Sequence, residues 1–283
     1  MENIIINWLF QTNAIQVCHE DQPFWYTSGT LGPYYVNTHY LYGSKNEAEN
    51  LLSAIDECSR IKELCPIQLF SLINQQYKSN NIFHSVIDLI VEKCKAINYD
   101  FISGGERRDF FFSIMAANIL KKPHLSIFKD GDMVLSDFGF ATSKIMKKGD
   151  LKALRALHIA DLVTEASSYT RAWIPAIESL DATISDTMAV VYRNQGGKEI
   201  LEHKGVLLHS FATIQKDLFD TAKTNGYINE KQYEMILDFI ESPAKFMTSF
   251  IKSHPDYLSQ QIEAGGKSKE RALLFMEKGF HKQ

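Results

Sequence analysis

Short apolar runs alternating with helix-patterned segments predict an α/β protein: a mainly parallel sheet flanked by helices, with a helical N-terminal insertion and a helical C-terminal extension. Apolar stretches of strand length recur at Tyr99–Ser103, Leu125–Phe128, Arg155–Ala160, Ala182–Tyr192 and Val206–Phe211. Helical spacings at Phe110–Leu120, Ser168–Leu180 and Gln195–His203 fall between them. Right-handed crossovers then bring the strands side by side in parallel.

Taken in order, Asn46–Leu64 opens the helical insertion, with Leu51, Leu52, Ile55, Cys58 and Ile61 at three- and four-residue spacing. Pro66 suits the first helical position of Pro66–Tyr77, and Ile82–Ile97 repeats the pattern through Val86, Ile87, Ile90, Val91 and Cys94. Tyr99–Ser103 then reads as a strand ending in the Gly104-Gly105 turn. Ala141–Asp150, rich in lysine and without apolar periodicity, reads as a surface connection and a lid candidate. After Asn225-Gly226 the spacing of Tyr233, Ile236, Leu237 and Ile240 is helical, with breaks at Pro243, Pro255 and Gly265-Gly266. The expected division is an α/β domain over 1–226 and a helical extension over 227–283, packed on it.

Composition narrows the function. The chain has 283 residues, 45% hydrophobic and 23% charged, which supplies a globular core. No apolar run approaches the roughly 20 residues of a membrane span, and Met1-Glu2-Asn3 offers no basic start of a secretory signal. A net charge of −4 with interspersed signs disfavours nucleic acid. Cys18, Cys58, Cys65 and Cys94, without a CxxC pair, are expected as reduced thiols in a cytoplasmic protein, with no metal signal.

Ligands of parallel α/β sheets sit at strand ends, so the loops there are the candidates. In ALHIADLVTEASS an apolar strand runs into Asp161 and then Thr164, Glu165, Ala166, Ser167 and Ser168 before a helix. Amides and hydroxyls at a helix start suit a phosphate, and Asp161 suits sugar hydroxyls; a plain helix cap is the alternative. In SGGERRD, paired glycines let backbone approach an anion that Arg107 or Arg108 could neutralise, or they mark a simple turn. Arg193 in YRNQGG ends a strand where it can meet a carboxylate or simply face solvent. Leu135–Phe140 imitates a kinase metal-binding segment but lacks the other kinase motifs, so it reads as a turn after a strand, and His158 reads as a core histidine.

Together these loops resemble the type I phosphoribosyltransferases, and among them the orotate phosphoribosyltransferases, from about Ala14 to Ile214. In FWYTSGTLGPYYVNT, the residues Ser28, Gly29, Pro33, Tyr34, Tyr35 and Asn37 keep the family's early segment. SGGERRD falls at the family's pyrophosphate loop, His158–Ser168 at its phosphoribosyl-diphosphate signature, and Val190–Gly197 at the strand whose arginine meets the orotate carboxylate. VLLHSFATI, over Val206–Ile214, is similar to its last strand and turn. The chain departs from the pattern at Ala160 (acidic in the family), Ala166 and Ser167 (glycines), Thr27 (lysine) and Thr30, and in the lid after Lys129.

The resemblance implies transfer of phosphoribosyl from 5-phosphoribosyl 1-diphosphate to a pyrimidine-like base, releasing pyrophosphate. It implies catalytic roles for Lys129, Arg108 and Asp161. It implies substrate binding by Thr164, Glu165, Ala166, Ser167, Ser168, Arg107, Ser28, Gly29, Tyr34, Tyr35 and Arg193. Mg²⁺ would enter through the pyrophosphate with no direct side-chain ligand. Partners would be small molecules and a second copy in a cytoplasmic homodimer, with no nucleic acid or membrane. The alternative is a non-catalytic, phosphoribosyltransferase-like nucleotide-binding or regulatory protein.

Overall fold

The computed structural model describes residues 2–279. Helix α1 (Glu2–Gln11) precedes four short strands, β1 (Ile15–Val17), β2 (Phe24–Trp25), β3 (Leu31–Gly32) and β4 (Tyr34–Val36). A 3₁₀ turn over Thr38–Tyr42 leads into α2 (Lys45–Cys58), α3 (Cys65–Ser79) and α4 (Asn81–Cys94). Next come β5 (Phe101–Gly105), α5 (Phe110–Leu120), β6 (His124–Ile127), β7 (Met133–Ser136), β8 (Ser143–Ile145) and β9 (Arg155–Val163). A π-helical turn over Tyr169–Trp173 runs into α6 (Ile174–Ser179), then β10 (Thr183–Tyr192), α7 (Gly197–His203) and β11 (Leu207–Thr213). Helices α8 (Lys216–Thr224), α9 (Glu230–Glu241), α10 (Pro243–Ser253), α11 (Tyr257–Ala264) and α12 (Gly266–Glu277) complete the described chain.

The chain divides into two compact units, residues 1–14 with 38–214, and residues 15–37 with 215–283. This division falls elsewhere than the expected one at residue 226, because the early strands group with the C-terminal helices rather than with the sheet.

The first unit holds a seven-stranded sheet of order β11-β10-β9-β5-β6-β7-β8. Strands β11 through β6 run parallel, and β7 and β8 are antiparallel. The predicted strands and crossover helices are all present, which confirms the α/β class. Two expectations change. The Asn46–Leu64 helix stops at Cys58, and Ser59 to Leu64 form a turn before α3. The Ala141–Asp150 connection contains β8, an edge strand whose exposed residues carry no apolar alternation.

Local chemistry accounts for the helix starts. Ser44 accepts from the Glu47 amide to cap α2, Pro66 sits in the first turn of α3, and Asn80 accepts from the Phe83 amide to cap α4. Helix α5 is apolar on every face, with Phe110 to Ala117 all buried, because it packs on β5 and β9 with α3 and α4 against it. Cys58 and Cys65 form a disulfide across the α2–α3 turn instead of remaining thiols; Cys18 and Cys94 are free and buried.

In the second unit, β1 pairs with β4 and β2 with β3, both antiparallel. Tyr34 packs against Phe219 of α8 and Phe239 of α9. Asn229 and Gln232 form a reciprocal capping box on α9. Among the described residues, no helix is long and apolar enough to cross a membrane.

The ring of Phe111 is fully buried and meets Tyr42 and His39 edge-on. Phe111→Ala should therefore lose about 3–5 kcal/mol in urea unfolding. Phe138→Ala, at a side chain that is 48% exposed, should stay within about 0.5 kcal/mol of the parent.

Candidate active site

Winding of the sheet reverses between β5 and β9, since β5 leads to β6 on one side while β9 leads to β10 and β11 on the other. Such a switch point leaves a crevice at the carboxyl ends of the strands. A cleft of about 260 Å³ opens there, walled by Gly105–Asp109 after β5 and by Ala160–Tyr169 at the end of β9, with Trp173 beside them. Two segments that the sequence analysis singles out separately thus line one cleft.

Asp109 joins them. It immediately precedes α5 yet does not cap it. Its buried carboxylate instead accepts from the Gly105 amide at 3.0 Å through Oδ2 and from the Asp161 amide at 3.1 Å through Oδ1. His158 Nε2 lies 3.3 Å from the same Oδ2, and Nδ1 of that ring pairs with the Ser103 hydroxyl at 3.0 Å. His158 is fully buried and fully engaged, as a core histidine should be.

Asp161 lines the cleft and keeps Oδ2 buried without a hydrogen-bond partner. Burial, then the neighbouring Asp109 carboxylate, push its pKa up to about 7 against the opposing pull of Arg108. Thr164–Ser168 turns around Ala166, which is buried at a left-handed φ of 51°. The Thr164 carbonyl accepts from the Gly197 amide at 3.1 Å, and a Cβ on Gly197 would strike that carbonyl, so glycine is required there. Ser167 and Ser168 are exposed, and so is Glu165.

On the opposite wall, the Gly104-Gly105 pair closes β5, and Gly105 lines the cleft. Both glycines lie inside buried β5, where a Cβ would strike the Ser113 hydroxyl or the Trp173 ring. The following Glu106–Arg107 peptide is cis. Arg107 is committed to an ion pair with Asp56 of α2, whereas Arg108 is exposed and carries no ion pair among the described residues. Lys129 is tied to the same loop, its amide donating to Glu106 Oε2 at 3.0 Å and its ammonium 3.8 Å from Oε1. Arg193 ends β10 one strand over, its amide donating to Val163 and its buried Nε unpartnered.

Ser28, Gly29, Tyr34 and Tyr35 all belong to the second unit. Tyr34 is buried in that unit's aromatic core and Tyr35 is half-buried. Three residues escaped the sequence analysis. Asp109 and Glu106 act through partners far along the chain and leave no local signature. His39 is buried in the 3₁₀ turn with Nδ1 unpartnered, and burial with Arg108 and Arg107 holds its pKa down to about 3.

The buried Asp161 generates a pH signature. Its unfolded carboxyl titrates near 3.8, so between there and about 7 the folded chain holds a proton that the unfolded chain has lost, and stability falls as pH rises through that window. Asp161→Asn should raise the melting temperature most at pH 8, with the gain shrinking toward pH 4. A gain independent of pH would show that Asp161 is not the group responsible.

No family model matches the chain. Over 158 residues it is 25% identical to the orotate phosphoribosyltransferase of Saccharolobus solfataricus, covering 56% of this chain and 76% of that protein. Over 133 residues it is 28% identical to the uridine 5'-monophosphate synthase of Caenorhabditis elegans, covering 47% of this chain and 25% of the synthase. The solved structure of Leishmania donovani UMP synthase superposes on 84% of this chain and 42% of its own, with a TM-score of 0.58 at 14% identity. The chain therefore spans under half the length of both synthases it matches. In sequence the chain is thus similar to orotate phosphoribosyltransferase, and in fold it is similar to the UMP synthase structure.

Proposed function

We propose that the chain transfers phosphoribosyl from 5-phosphoribosyl 1-diphosphate to a pyrimidine-like base and releases pyrophosphate. The observation that carries this is the convergence of two loops on one cleft: an arginine without an ion pair on one wall, a hydroxyl- and amide-rich turn on the other, and an unsatisfied carboxylate oxygen between them. The likeness to orotate phosphoribosyltransferase supports the choice of base.

In this reading the Thr164–Ser168 turn takes the 5′-phosphate through amides and the Ser167 and Ser168 hydroxyls. Exposure of Glu165 leaves its carboxylate in water, where repulsion of a phosphate is weak. Asp161 Oδ2 accepts from ribose hydroxyls, for which the deprotonated form is the better acceptor. Arg108 stabilises charge developing on the departing pyrophosphate, with Lys129 near it, while Arg107 positions the loop through Asp56. Attack by the ring nitrogen at C1′ and departure of pyrophosphate need no protein nucleophile; the walls hold the reacting atoms in line and exclude water.

Magnesium belongs to the same proposal. It rests on the resemblance, which implies an ion that enters on the diphosphate. Such an ion would supply charge neutralisation to the leaving group. A homodimer and a cytoplasmic location also belong to it, on the resemblance alone, since Tyr34 and Tyr40 are buried within the chain rather than available to a partner.

A nucleotide-binding protein without turnover is the second reading. It is favoured by Ala160, 2% exposed where the family pattern has an acid, and by the Ala166 Cβ in the phosphate turn. Incubation with 5-phosphoribosyl 1-diphosphate, Mg²⁺ and a panel of bases, read by pyrophosphate release, decides between the two. The expected outcome is release with a pyrimidine-like base, reduced about tenfold or more in Arg108→Ala through loss of one charge-assisted contact. Binding without release under any base supports the second reading, and absence of binding at millimolar concentration defeats both.

A further inference from the structure

The disulfide lies next to the loop that forms one wall of the cleft. Cys58 ends α2 and Cys65 begins α3, seven positions on, so the bond ties together the two ends of the Ser59–Leu64 turn. Cys65 is fully buried, whereas Cys58 is half-buried.

This turn grips three other segments of the first unit. Ser59 Oγ lies 3.3 Å from Glu106 Oε1 and 4.0 Å from Cys65 Sγ, so one hydroxyl connects the disulfide to the loop after β5. Asp56, two positions before Cys58, holds Arg107 of that same loop, and Glu106 holds the Lys129 amide. Lys62 pairs with Asp130 and Asp132 between β6 and β7, and the Glu63 carbonyl accepts from the Ser143 hydroxyl of β8. Surface ion pairs and single hydrogen bonds of this kind hold little individually. They act together only if the turn that carries them is fixed, and a crosslink fixes it by removing conformations open to the chain between its ends.

We propose that Cys58–Cys65 is a reversible redox modification site that sets the rigidity of the loop carrying Arg107 and Arg108, and through it the affinity of the cleft for its phosphorylated ligand. The co-reactant is a dithiol. One of its thiolates attacks Cys58 Sγ from the solvent side, the S–S bond breaks, and Cys65 leaves as a thiolate; the second thiolate then displaces Cys58 from the mixed disulfide. The dithiol closes to a disulfide, losing two electrons and two protons, and the two cysteines gain them. A disulfide in a reducing compartment is usually transient rather than structural, which fits the cytoplasmic location proposed above.

The effect on the loop is independent of the transfer reading, whereas the effect on ligand affinity rests on it, so the experiment has an arm for each. The full chain is equilibrated with oxidised or reduced dithiothreitol, and its thiols are counted after denaturation. Of the four cysteines, Cys18 and Cys94 alone should react in the oxidised form and all four in the reduced form. The Glu106 amide donates to the Ile127 carbonyl and the Lys129 amide to Glu106, and both should exchange about threefold or more faster after reduction. Affinity for 5-phosphoribosyl 1-diphosphate, read by calorimetry, should fall by about threefold or more as the competent loop is less populated, and recover on reoxidation. Cys58→Ser combined with Cys65→Ser should show the reduced values under both conditions; should that variant fail to fold, the reversible change in the parent carries the test. If 5-phosphoribosyl 1-diphosphate binds in neither state, the failure belongs to the transfer reading and the exchange rates decide. Four reactive thiols in the oxidised form, equal exchange at Glu106 and Lys129 in the two states, or an unchanged affinity for a ligand that binds, overturns the proposal.

Discussion

Two hydrogen bonds from backbone amides to the Asp109 carboxylate connect the loop after β5 with the end of β9, and the cleft exists because of them. The residues they join are far apart in sequence, Asp109 and Asp161 being separated by 52 positions. A buried carboxylate is tolerable only when its oxygens are satisfied. Here Gly105, Asp161 and His158 all converge on it, so the carboxylate fixes two strand ends and the start of α5 at once. That link adds to the β5–β9 pairing in fixing Arg108 and the Thr164–Ser168 turn on facing walls.

The same link shapes the electrostatics. Burial first, and then the second buried carboxylate of Asp109, move the ionisation of Asp161 up toward neutrality. A substrate that brings hydroxyl donors to Asp161 Oδ2, or cations near it, would draw it into the ionised form. In the proposed reading, substrate binding would then be coupled to proton release. Arg108 is the opposing charge in this arrangement, and its lack of an ion pair keeps it available to an anion in the cleft.

Much of the fold was legible because its signals are local. Periodicity over Ile82–Ile97 marked α4, and the apolar runs in Arg155–Ala160 and Ala182–Tyr192 marked the two long central strands. What escaped has physical reasons. Strands β1 to β4 are two or three residues long, too short for alternation to register, and β8 is an exposed edge strand of mixed polarity. The packing of Ser113 and Trp173 against Gly104 and Gly105 is not legible locally, because those side chains are distant in sequence. The roles of Arg107 and Arg108 could not be told apart until α2 placed Asp56 against one of them. Grouping of residues 15–37 with the C-terminal helices is a long-range property that no local pattern encodes.

The claim that Asp109 builds the cleft is tested most directly by combining hydrogen exchange with calorimetry on Asp109→Asn. The account predicts faster exchange at the Gly105 and Asp161 amides and, in the same variant, an affinity for 5-phosphoribosyl 1-diphosphate lower by about tenfold or more, the scale of one lost charge-assisted bond. Faster exchange with unchanged affinity would contradict it, because the ligand site would then not depend on the link between the two loops.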